Sequence, residues 1–378
     1  MLYLLIALLL AQAQPAPTPA TALSGPKVPA STPRARALFD EARNNIPRVP
    51  SQPETPFQID TRALTQATLF LELAKAETAA FPDQAAEDAE HAFGLAQSFE
   101  GRASDIDALT TASGDATANM RAATGWMTKG RLEPDVIRVL VASNHDARAR
   151  ELARTGDYTH AELYDPIIRA ASIAVLAALA NECRSTDGSY PYGAIADRAR
   201  TATDENAKQA LLAAAYRAAA SETTYEGRGR AQTLLQRSWD LPPADMVSRT
   251  LMEMLNGMIA QPATAPVRNV QDSEIYAPMI LELLAYVDAA RAAQVATEHP
   301  DWARARKTPG RTPGNPINGT GGVLRPANPP PAPPLRPNGL LPRLPEAEFD
   351  RMLAQAREQP LTQDKIQRLI VLGYSLLP

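Results

Sequence analysis

Where proline falls decides what this chain can fold into, because proline fixes φ, lacks a backbone N–H, and is costly inside a helix or a central strand. The 34 prolines are not spread evenly over the 378 residues. Residues 14–33 hold Pro15, Pro17, Pro19, Pro26, Pro29 and Pro33, and residues 302–345 include Asn328 to Pro337, where six residues of ten are proline. Both stretches read as disordered linkers that favour extended backbone over packing. Between them lies a body, residues 34–301, long enough to bury about three quarters of its unfolded surface.

The body is rich in alanine, leucine, glutamine, glutamate and arginine and has no runs of alternating β-branched residues, so helix is the expected state throughout. Leu64, Ala67, Leu71 and Ala74 make one apolar stripe; Ala86, Ala89, Phe93 and Ala96 make another behind Phe81-Pro82-Asp83; Val247, Leu251, Met254, Leu255 and Met258 make a third. Further stripes run through Ile106, Leu109, Met120, Ala123 and Met127 and through Ile280, Leu283, Leu284 and Val287. With only seven phenylalanines, the core must rest on close helix approach across alanine faces. The predicted fold is all-α with about eight to ten helices in the body, as an irregular multi-helix bundle or as stacked, solenoid-like helical hairpins. Ile167 to Ala180 is apolar nearly all round and is expected to be the central helix.

Leu152-Ala153, Gly156-Asp157-Tyr158, Ala161 and Tyr164 follow part of the tetratricopeptide pattern, and this stretch of about thirteen residues resembles one such unit. The resemblance implies a helix-turn-helix repeat. Asp165-Pro166 falls where that repeat should continue, and no fixed period is evident elsewhere. The same residues also fit an ordinary helical hairpin in which Gly156 caps the first helix.

The chain starts with Leu2 to Leu10, an apolar run reaching roughly 15 Å as a helix, half of a bilayer's hydrocarbon core. Ala11-Gln12-Ala13 follows with the small-x-small pattern of a signal-peptidase site. Residues 1–13 are therefore expected to be a signal peptide, the mature chain to have no transmembrane span, and the protein to be exported, periplasmic or secreted. Cys183 is the single cysteine; it excludes an intramolecular disulfide and is expected to be buried. At the other end, residues 346–378 are expected to form a helical hairpin with Phe349, Leu353 and Ala356 facing Ile366, Leu369, Ile370 and Leu372. Thirty-odd residues make a marginal core, so the hairpin should dock on the body or on another molecule.

The formal net charge of −4 hides an asymmetry. Trp302 to Pro345 carries seven positive side chains and no acid, which would draw it to an anionic surface through screened attraction or make it a solubilising spacer.

No catalytic, metal or cofactor site is expected. Asp88 and His91 share a helix face, and Asp157 and His160 have the same spacing but lie in the Gly156 turn; neither pair has the facing glutamates of a metal-binding bundle. Asn144-His145-Asp146 are adjacent, so their side chains diverge on a helix, and no G-x-S-x-G motif accompanies them. Gly227-Arg228-Gly229-Arg230 lacks the lysine and hydroxyl of a phosphate loop. The candidate interaction residues are Tyr190 and Tyr192, in the polar and aromatic loop Ser185 to Gly193, and Met254 and Met258, from a methionine cluster that either lines an adaptable groove or fills the core. The expected function is that of an exported, non-enzymatic interaction or scaffold protein of the cell envelope or periplasm with a protein partner. Attachment to an anionic surface through residues 302–345, and an enzyme of unrecognised type using Asp88, His91, His145 and the Tyr190 loop, are the alternatives. Sequence-specific nucleic-acid binding is not expected.

Overall fold

The computed structural model describes residues 27–50, 62–98, 130–156, 160–183, 189–222, 225–259, 267–305 and 343–378, together with 335, 337 and 341. Residues 1–13, most of the two proline-rich stretches and the 106–127 stripe lie outside them. Among the described residues every regular element is helical, with one isolated β-bridge between Lys27 and Pro345.

In chain order the helices are α1 (Thr32–Asn45), α2 (Arg62–Glu77), α3 (Pro82–Gln97), α4 (130–142), α5 (Asp146–Thr155), α6 (His160–Ala170), α7 (Ile173–Glu182) and α8 (Tyr192–Thr201). They continue as α9 (Glu205–Ala220), α10 (Tyr225–Ser238), α11 (Ala244–Ile259), α12 (Val267–Val287), α13 (Ala289–Glu298), α14 (Pro300–Ala305), α15 (Glu346–Glu358) and α16 (Gln363–Ser375). Side-chain caps set several starts: Ser31, Asp204, Asp288 and Thr362 each accept the N–H three residues on.

The chain divides into two compact units, one from residues 1–50 and 336–378 and the other from 51–335.

The first unit joins the two chain ends. α1 buries Ala35, Leu38, Phe39 and Ala42 and packs on α16, which in turn packs on α15. Phe349, Leu353, Ala356, Ile366, Leu369, Ile370 and Leu372 are all buried, the faces expected of a terminal hairpin. Phe39 presses so close to Gly373 that a Cβ there would stand 2.6 and 2.9 Å from its ring carbons, which makes glycine a packing requirement. Backbone bonds from Val28 N–H to the Leu344 carbonyl (2.8 Å) and from Ser31 N–H to the Leu376 carbonyl (2.9 Å) close the unit. Residues 27–50, divided in the sequence reading between linker and body, belong with the hairpin. Its marginal core is completed by the other end of the chain.

The second unit is a stack. Helices α6, α8, α10 and α12 form one row in which each packs on the next, and α7, α9 and α11 form a second row. The starts of α6, α8 and α10 are 32 and 33 residues apart. Each hairpin cannot bury its apolar face alone, and stacking supplies the missing cover. Gly156 ends α5, with its N–H on the Leu152 carbonyl at 2.9 Å, and a Cβ there would meet Leu163 at 2.5 Å. The stretch that resembles a tetratricopeptide unit thus contains a tight α5–α6 hairpin. Alanines are central as expected: Ala67, Ala74, Ala85, Ala89, Ala92 and Ala96 are fully buried in the paired α2 and α3.

The apolar run from Ile167 to Ala180 is not one central helix. It breaks at Ala171-Ser172, and the α7 half leaves Ala174, Val175 and Ala178 exposed while burying Leu176, Leu179 and Ala180. Small residues on the outer face made an amphipathic helix look uniformly apolar. Pro166 sits inside α6, where it removes the N–H that would reach the Glu162 carbonyl.

Candidate functional site

Packing of the even row leaves an open groove of about 590 Å³ along α4, α6, the Tyr190-Pro191 turn, α8 and α10. Its lining includes Arg131, Pro134, Asp135 and Arg138 from α4, Glu162 and Asp165 from α6, and Arg230 and Thr233 from α10. Tyr190, Pro191, Tyr192 and Gly193 line it between α6 and α10.

Both tyrosines are buried and tilted against one another, with ring centroids 4.7 Å apart. Tyr190 Oη donates to the Ala180 carbonyl at 2.6 Å, and Tyr192 Oη donates to Glu222 Oε1 at 2.7 Å. Their polar ends are thus spent on holding neighbouring hairpins, and their rings give the groove a rigid wall. Arg228, 1% exposed, extends the same network by donating from Nε to the Glu222 carbonyl at 3.3 Å. Beside the groove, Asp197 is only 5% exposed and is gripped by Arg169 of α6 at 3.1 Å and by Arg237 of α10 at 3.0 Å. One carboxylate of α8 therefore braces three helices of the row.

Two of the groove acids, Asp135 and Asp165, are answered from within the protein. Asp135 pairs with Arg138 and, at 2.8 Å, with Lys75; burial alone would lower the Lys75 pKa, but Asp135 and Glu72 outweigh it and raise it. Asp165 pairs with Arg169 at 2.7 Å. Arg131 and Arg230 have no carboxylate at ion-pair distance among the described residues.

Met254 and Met258 are buried in α11. Met254, buried, lines a small apolar space with Arg228, Tyr276, Met279, Ile280 and Leu283, so it packs between α10, α11 and α12. The structure does not bring these methionines to the groove that the tyrosines line.

Among the described residues no histidine lines the groove. His91 meets the edge of Phe70 with centroids 4.4 Å apart; His145 Nδ1 lies 2.8 Å from the Ser143 carbonyl oxygen in the turn between α4 and α5; His299 stacks on Trp302 at 4.3 Å. Asn144 takes φ of 62° in that turn, a conformation asparagine tolerates. Among the described residues no three His, Cys, Asp or Glu side chains are placed to hold a metal ion, and no helix is long and apolar enough to cross a membrane. Cys183 is buried, and burial followed by the Glu182 charge pushes its thiol pKa far up, which leaves it inert.

The groove is lined by Tyr190 and Tyr192, two of the residues named from the sequence, and also by Arg131, Glu162 and Arg230, which are far apart in the chain and are brought together only by stacking. The signal available was the recurrence of Gly156-x-Tyr158 as Gly188-x-Tyr190, 32 residues on. No protein-family model, curated protein or solved structure matches this chain.

Proposed function

We propose that the stack is a non-enzymatic interaction scaffold whose groove takes an extended polypeptide segment carrying acidic side chains. The observation that carries this is the pair Arg131 and Arg230: two guanidiniums lining a groove in which Asp135 is already paired with Lys75 and Arg138, and Asp165 with Arg169. An extended peptide suits the space because the wall of Tyr190, Pro191 and Tyr192 is preformed, which reduces the ordering cost of binding. The acidic groups supply register and salt-sensitive attraction.

Fluorescence anisotropy with a glutamate-rich decapeptide and a matched lysine-rich one tests this. The acidic peptide should bind, weaken with salt, and lose roughly tenfold in affinity in the Arg131→Ala, Arg230→Ala double variant, as two partly exposed ion pairs would. Equal binding of both peptides, or binding insensitive to the double substitution, contradicts it. An exported setting is supported by the Leu2 to Leu10 run and Ala11-Gln12-Ala13; N-terminal sequencing of the mature protein should begin at Gln14.

A further inference from the structure

We infer that the unit made from the chain ends is an exchangeable joint, in which α1 of one copy can seat on the α15–α16 hairpin of a second copy of this chain. Within the unit no covalent link joins α1 to the hairpin: the peptide route between them runs through the whole of residues 51–335. Everything that holds them together is therefore equally available from another molecule.

The interface is specific enough to be recognised in either setting. Phe39 seats against Gly373, where no larger residue fits. Arg34 pairs with Asp350 at 2.6 Å and lies 4.5 Å over the Phe349 ring, while Glu41 pairs with Arg357 at 2.7 Å. Arg34 and Glu41 are seven residues apart on α1, and Asp350 and Arg357 are seven apart on α15. The two helices therefore run parallel and in register, and reversing α1 would set Arg34 against Arg357 and Glu41 against Asp350. Like charges reject that arrangement. When α1 is absent, the face of α16 around Gly373, on which Phe39 packs, loses its cover.

Which copy supplies α1 is set by concentration. Attachment to the same chain holds the two halves at an effective concentration that does not fall on dilution, so in dilute solution the joint closes within one molecule. It closes between molecules where copies are crowded or where one half is damaged.

Two full-length variants read this out. Phe39→Asp spoils α1 and keeps the hairpin, while Ile370→Asp spoils the hairpin and keeps α1. Each alone should be monomeric by light scattering, and their mixture at about 100 µM should give a 1:1 complex of twice the mass. A mixture that stays monomeric overturns the inference.

A measurement without core substitutions guards against misfolded variants. A protease site placed within residues 310–320 is cut in the otherwise native protein, prepared once in heavy and once in light isotope. Native mass spectrometry of the mixture should show heavy bodies carrying light C-terminal segments. Release of the C-terminal segment on cutting, or a lasting absence of hybrids, overturns the joint.

Discussion

The two units are built from the same helical grammar but differ in how far along the chain their contacts reach. In the stack, polar ties join residues such as Arg154 to Glu182 and Arg237 to Asp197, 28 and 40 positions apart. In the chain-end unit, Arg34 to Asp350 and Arg357 to Glu41 each span 316. A stack is close to a sum of neighbouring terms, so damage stays local and folding can start anywhere. A unit whose ties span 316 positions must close a far longer loop before those contacts form, which slows its formation relative to the stack.

The largest expected effect breaks the chain-end unit alone. Phe39→Ala removes a fully buried ring and should cost about 3–5 kcal/mol, which calorimetry should show as loss of one transition with the stack's melting unchanged. Next, Asp197→Ala strips the shared partner from Arg169 and Arg237; because both guanidiniums are about one-third exposed, the cost should be about 2–3 kcal/mol, below that of a fully buried pair. Denaturant unfolding should show it in the stack and leave the α1–α16 contact intact. Tyr192→Phe leaves Glu222 one hydrogen bond short and should cost about 1–2 kcal/mol, again confined to the stack.

Alkali should also strike the stack. Burial, with the Glu182 carboxylate beside it, pushes the Tyr164 phenol up to about 12 from 10.0. Because its folded pKa is raised, the stability it contributes is intact below pH 10.0 and is lost as pH climbs towards 12. Lys75, also raised in the fold, works in the same direction above pH 10.5. A spectrophotometric phenolate titration should show Tyr164 lagging the exposed tyrosines. The smallest effect is that of Arg131→Ala with Arg230→Ala, which should change stability by less than about 0.5 kcal/mol.

Much of the helical architecture was legible. Spacing alone identified the buried faces of α2, α3, α11 and the terminal hairpin, because each is an amphipathic stripe whose period is local. Three things were not. The break at Ala171-Ser172 was hidden because exposed alanines and Val175 read as core. The recurrence at 32 and 33 residues was hidden because Tyr192 and Tyr225 begin equivalent helices whose following residues differ, with Ile195 buried three residues after one and Arg228 three residues after the other. The pairing of the chain ends was hidden because nothing in Arg34 or Glu41 announces a partner 316 residues away.

Hydrogen-exchange mass spectrometry of the full chain beside its Phe39→Asp variant tests the central claim, that the ends form one cooperative unit distinct from the stack. Residues 32–45 and 363–375 should be protected in the native protein and lose protection together in the variant, while 192–259 exchange as before. Protection that persists in 363–375 without α1, or that collapses through 192–259 as well, would contradict it.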